Sequence, residues 1–203
     1  MKKTFGVFLA TLLMGCEMEN ALFAPASCVV DEKLFGTWQA VEHKFYREEY
    51  YVIGKAYKFK VPEGSPDGLM IAVDVSVSED FSMDSTKTYF VTANVAGESY
   101  LMVIDDKLLD TEANKAFDFS KQKRFYIAKY RLTGDTLELW KTMDLQAVDA
   151  AIANGTLKGR TSDKNGTLGY PSITESPEGM IRYLSNGGSK TLFTDVKKYK
   201  RSR

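Results

Sequence analysis

The sequence predicts a mainly β chain: an antiparallel meander closing into a barrel of about eight strands, with two short C-terminal helices. Three observations carry this. Apolar and polar residues alternate over several short segments, the period-two pattern of strands with one buried face. Gly-containing turn signals join these segments at short spacing, which favours hairpins over parallel β-α-β units. The C-terminal third instead carries helix-start signals, Asp144 before one apolar-periodic run and Ser176-Pro177-Glu178 before another.

Taken in order, Asp31 to Phe35 fits one helical turn, and Leu34 to Val41 a first strand. Tyr57, Phe59 and Val61 alternate with Lys58 and Lys60. Pro62 to Gly68 is a turn-rich loop. Ile71, Val73, Val75 and Val77 share one face, with Asp74 and Ser76 on the other. Tyr89, Val91, Ala93 and Val95 alternate with Thr88, Thr92 and Asn94. Ala96-Gly97-Glu98 turns the chain into Tyr100–Ile104, and Thr133-Gly134-Asp135 joins Phe125–Leu132 to Thr136–Lys141. Residues 105–122 break the pattern, with a short helix over Asp110–Ala116.

In the last third, Asp144 caps a helix over Leu145–Ala153, stopped by Asn154-Gly155. Leu145, Val148 and Ile152 fall on one face, which packs on the sheet. Residues 158–169 are a polar loop. The second helix starts at Pro177 and runs to about Ser185, with Met180, Ile181 and Leu184 inward, ending at Asn186-Gly187-Gly188. A final strand spans Thr191 to Lys197. The basic cluster that begins at Lys197 reads as a solvated tail or as a contact for anionic lipid or polysaccharide.

Composition excludes some classes. Lys plus Arg and Asp plus Glu both number 27, and no basic patch is interleaved with aromatics, so no nucleic-acid partner is expected. His43 is the only histidine and reads as a surface or half-buried residue. The carboxylate pairs Glu48-Glu49, Glu79-Asp80 and Asp105-Asp106 point to opposite faces if they lie on strands, so adjacency does not make them acid–base pairs. Asp163 to Thr167 lacks the repeated ligands of a calcium loop. No catalytic constellation, metal site or cofactor is expected. The tyrosines stand out instead: alternation aligns Tyr126, Ala128, Tyr130 and Leu132 on one face, with Lys129 and Arg131 facing water. Tyr126 and Tyr130, with Tyr89 opposite, are the candidate ligand-lining residues of a barrel lumen.

At the N-terminus, Lys2 and Lys3 precede an apolar run, Phe5 to Met14, too short to span a bilayer. Leu13-Met14-Gly15-Cys16 follows and resembles the lipobox of bacterial lipoproteins. That resemblance implies a diacylglyceryl thioether on Cys16, cleavage before it and acylation of the new amine. Glu17 in place of Asp resembles the pattern of outer-membrane lipoproteins. Two rival sites are Ala24-Pro25-Ala26, an ordinary secretion site, and Cys28 after Pro25-Ala26-Ser27. The organisation is then a signal peptide over 1–15, a tether over 16–30 and a barrel domain over 31–203. Extended, that tether would reach ~45–50 Å. With Cys16 acylated, Cys28 has no intramolecular partner and the domain folds without a disulfide.

Gly36-Thr37-Trp38, at the start of the first strand after a helical turn, resembles the Gly-x-Trp motif of lipocalins and the wider calycin barrels. That resemblance implies that Trp38 closes the barrel floor and that Gly36 permits tight backbone entry. The chain departs from the family where a Thr-Asp-Tyr type of motif belongs, Thr194-Asp195-Val196 coming too late. Sequence alone sets no Arg across Trp38, and two helices rather than one precede the last strand. The functional expectation is a non-catalytic envelope lipoprotein, anchored through Cys16, with a small apolar or amphipathic ligand in the barrel. The alternative is an interaction module with a filled barrel core that docks on an envelope protein.

Overall fold

The computed structural model describes residues 16–24, 27–42, 48–56, 63–77, 82–104, 109, 122, 124–162 and 169–202. Its strands are β1 (Glu17–Met18), β2 (Gly36–Ala40), β3 (Glu48–Lys55), β4 (Met70–Val77), β5 (Met83–Val95), β6 (Glu98–Ile104), β7 (Tyr126–Thr133) and β8 (Thr136–Trp140). Then come α1 (Leu145–Ala153), β9 (Gly159–Arg160), β10 (Ser172–Ile173), α2 (Pro177–Tyr183), α3 (Ser189–Leu192) and β11 (Lys197–Arg201). A 3-10 turn, Glu32–Leu34, leads into β2.

Strands β2 to β8 form a continuous antiparallel meander. Strand β11 returns after the helices to pair with β8 on one side and β2 on the other, closing an eight-stranded barrel. Closure removes exposed ladder edges, the hazard of an open sheet. The expected fold class holds: mainly β, a closed eight-stranded antiparallel barrel, with helices in the C-terminal third.

Ladder partners directly opposite each other share a face, so the registers sort inward from outward residues. Trp38 and Ala40, Tyr51 and Ile53, Met70 and Ala72, Thr88 and Phe90, Leu101 and Val103, Tyr126 and Tyr130, Leu137 and Leu139, and Tyr199 all face the lumen. The larger core lies outside the barrel. Ile71, Val91, Met102, Ile104 and Ile127 face outward from β4–β7 and pack beneath Val148, Ile173, Met180, Leu184 and Leu192. Both faces of these strands are therefore apolar.

The helices begin as their sequences dictate. The Asp144 carboxylate accepts from the backbone N–H of Gln146 (3.0 Å) and Ala147 (3.1 Å). The Ser176 hydroxyl accepts from Gly179 N–H at 3.1 Å, with Pro177 opening the helix. Gly187, at φ +99°, breaks the helix between α2 and α3, a conformation glycine adopts without a Cβ penalty.

Several expectations change. β3 has no counterpart in the alternation pattern, because its inward face carries Glu49 beside Tyr51 and Ile53. The last strand is Lys197–Arg201, while Thr191 lies in α3. The basic cluster is thus barrel wall, with Tyr199 fully buried. Ile181 is 37% exposed, whereas Met180 and Leu184 are buried. The stretch expected as a tether packs over its described residues: β1 pairs with β10, and Met18, Leu22 and Phe23 enter the outer core. Apolar side chains every few positions give this stretch something to bury. His43, the segment 57–61, the helix expected over 110–116 and the loop 163–167 lie outside the described residues.

Candidate functional site

The lumen has three layers. The floor is built on Trp38, fully buried, whose indole N–H donates to the Leu34 carbonyl at 2.8 Å. The Arg201 guanidinium lies over this ring, 4.2 Å from its centre. It also donates to the carbonyls of Phe35 (2.5 Å) and Lys33 (2.6 Å), tying the last strand to the turn that precedes the first. Gly36, at φ +125°, is required here: a Cβ would lie 2.9 Å from the Arg201 Nη1 atom.

The middle layer encloses an apolar cavity of ≈ 70 Å³. Ile53, Phe90, Leu101, Val103, Leu137 and Leu139 supply most of its wall. Tyr126 and Tyr130 also line it, and both spend their hydroxyls away from it. Tyr130 donates to Asp31 at 2.9 Å and Tyr126 to Glu17 at 2.9 Å. Burial pushes the Tyr126 phenol up to about 12. The volume exceeds what one water needs but falls short of the several hundred Å³ typical of drug-sized ligand sites.

Tyr89 does not join them. Ala72 opposite Thr88 and Met70 opposite Phe90 put Thr88 and Phe90 inward, which turns Tyr89 toward the outer core. The expectation that Tyr89 faces Tyr126 and Tyr130 is corrected accordingly. Alternation identified its face-mates, Val91 and Val95, but that apolar face looks toward the helices.

The roof is charged. Lys141, next in the inward series after Leu137 and Leu139, has a side chain only 16% exposed. Its ammonium donates to Glu49 Oε1 at 2.9 Å and to the Tyr51 hydroxyl, reaching from the end of β8 over to β3. It also lies 4.7 Å from the centre of the Tyr51 ring. Glu49 Oε1 accepts from the Tyr199 hydroxyl at 3.1 Å, and Lys197 Nζ stands 3.7 Å from Glu49 Oε2. Burial works to raise the Glu49 carboxyl, but Lys141, Lys197 and Tyr199 outweigh it and hold it below the ordinary value. Burial lowers Lys141, with Glu49 opposing the shift. Asp74, facing Tyr51 across β3 and β4, is raised by burial. These roof residues were missed because the charged inward positions sit at the rim. The signal was present as Leu137-x-Leu139-x-Lys141 and Glu49-x-Tyr51-x-Ile53.

Cys16 is 3% exposed and burial pushes its thiol up to about 12; Cys28 is half-buried and raised to about 11 by burial. Both are free thiols. Lys129 Nζ lies 3.0 Å from Ser189 Oγ, a Ser–Lys contact. It is a structural pair: Ser189 is 2% exposed, and Lys129 is held by Glu98 at 2.6 Å. Among the described residues, no three His, Cys, Asp or Glu side chains come together as metal ligands.

Comparison with family models, with curated proteins and with solved structures finds no match to this chain.

Proposed function

We propose that this protein is a non-catalytic binding barrel of the bacterial cell envelope, held at the membrane through acylated Cys16. It takes a small apolar or amphipathic molecule into the lumen. The cavity carries this reading: an apolar space with a charged roof inside a closed barrel. Its size restricts the occupant to a short apolar group. The lipobox supports the anchor, and the Glu at position 17 supports the outer membrane as its address. The burial of Cys16 is that of the unmodified thiol; with a diacylglyceryl group on its sulfur the residue has to stay outside the outer core, just ahead of β1, for the acyl chains to reach lipid. Glu17 is bonded to Tyr126 at the same end of the barrel as the roof. An anchor at Cys16 therefore holds the barrel mouth near the lipid surface.

Native mass spectrometry of protein extracted in mild detergent tests the ligand, with titration of hexan-1-ol as an added probe. A co-purified small molecule, or saturable binding of the alcohol, is expected. Absence of both overturns the carrier reading. Cys16→Ala tests the anchor, and unprocessed or mislocalised precursor is expected.

The alternative, an interaction module, draws on a different feature. A broad groove of ≈ 570 Å³ runs past the floor end, lined by Lys33, Lys129, Arg131, Lys190 and Trp140, with Asp31 and Glu98. Its excess of cations suits an acidic face of an envelope protein. Lys33→Glu combined with Lys190→Glu is then expected to abolish crosslinks formed in intact cells.

A further inference from the structure

We propose that the molecule held in the barrel carries an acidic head group, and that Lys141 receives it at the roof of the cavity. This rests on the carrier reading and specifies its ligand class. The wall of the cavity is apolar except at its top, where Lys141 is its one charged residue among those described. The carboxylates of the roof, Glu49 and Asp74, are not part of that wall. An occupant therefore meets an ammonium before it meets any anion.

The donor count agrees. An ammonium has three N–H donors. Glu49 and the Tyr51 hydroxyl take two of them, which leaves a third for a ligand acceptor. Glu49 further marks the roof as an anion site: one carboxylate there gathers Lys141, Lys197 and Tyr199. A ligand acid enters the same field and partly competes with Glu49 for Lys141. A cationic head would bring a second ammonium against a buried one, and a neutral head accepts from Lys141 without forming an ion pair.

The test compares hexanoate, hexan-1-ol and hexylamine by calorimetric titration of the full processed protein. These share a tail and differ only in head charge. Hexanoate is expected to bind about ten-fold or more tighter than hexan-1-ol, because an ionised acceptor pairs with the ammonium where the hydroxyl only accepts from it, with hexylamine weakest. Lys141→Met is expected to remove the acid's advantage while leaving the alcohol's affinity within a small factor. Glu49→Gln, which frees Lys141 of its internal partner, is expected to tighten hexanoate several-fold. It serves as the second variant if Lys141→Met does not fold. Alcohol binding as tight as acid binding overturns the head-group assignment and leaves the carrier reading standing. So does a preference unchanged in Lys141→Met, or weakened in Glu49→Gln. If none of the three probes binds, the carrier reading itself falls.

Discussion

Arg201 and Trp38 are cross-strand partners of β11 and β2, with the guanidinium 4.2 Å from the centre of the indole ring. The pair joins the two ends of the barrel sheet, and the same guanidinium bonds two carbonyls of the turn ahead of β2. A lysine keeps the charge but lacks the planar fork and the stacking surface. Arg201→Lys is expected to lower the unfolding free energy by about 1–3 kcal/mol, and Trp38→Ala by about 3–5 kcal/mol. Urea denaturation measures both. Gly36→Ala should also destabilise, since it meets a positive φ and the Arg201 side chain together.

How much of this was legible depends on what alternation can convey. It says which residues share a face but not which face is the lumen. For β7 the tyrosine face is the lumen, and Tyr126 and Tyr130 line the cavity. For β5 the tyrosine face is the outer one, because α1 and α2 cover that side and make it equally apolar. Charge misled at the C-terminus. Lys197 to Arg201 looked like a solvated tail, yet alternate residues, Lys197, Tyr199 and Arg201, turn inward. Arg201 supports the floor and Lys197 the roof, while Lys198 and Lys200 face water. The Arg that sequence did not set across Trp38 came from this cluster. Helix caps, being local, were read to the residue at Asp144 and Ser176.

The first of these caps gives a clean measurement. Asp144 satisfies two N–H groups at the start of α1, and that helix is part of the outer core. Asp144→Ala is expected to reduce stability by about 1 kcal/mol, with Asp144→Asn retaining most of it. A loss shared equally by both variants would assign the effect to charge instead of capping.

The roof gives the protein an opposed pair of pH responses. Glu49 has its carboxyl lowered in the folded state, so the unfolded chain binds the extra proton as pH falls. Its contribution is present above the unfolded carboxylate value and is lost as pH drops through the folded one. Asp74 is raised, so the folded state binds the proton more readily, and its ionisation costs stability as pH rises through the folded value. Asp74→Asn is therefore expected to raise the denaturation midpoint at pH 7 and to gain little in acid. Glu49→Gln should lower the midpoint at pH 7, because Lys141 is left buried without its carboxylate. Midpoints for the two variants across pH 3 to 8 should diverge toward neutral pH. Parallel curves would remove the roof from the pH response.

The two thiols decide the anchor without any assay of location. Cys16 is buried in the outer core, while Cys28 is half-buried at its margin. Both thiols are raised by burial, so little thiolate exists at neutral pH and labelling of the folded chain is slow at either. Denaturation removes burial and equalises them. A chain that carries both cysteines unmodified then gives two titratable thiols. A chain acylated at Cys16 gives one, because the thioether blocks that sulfur. Protein extracted from the host membrane is therefore expected to show a single thiol in denaturant, borne by Cys28. The Cys28→Ala variant should then show none. Two thiols in the extracted wild type would exclude the thioether at Cys16. They would also leave β1 packed as an ordinary N-terminal strand of the domain, with no membrane attachment through that residue.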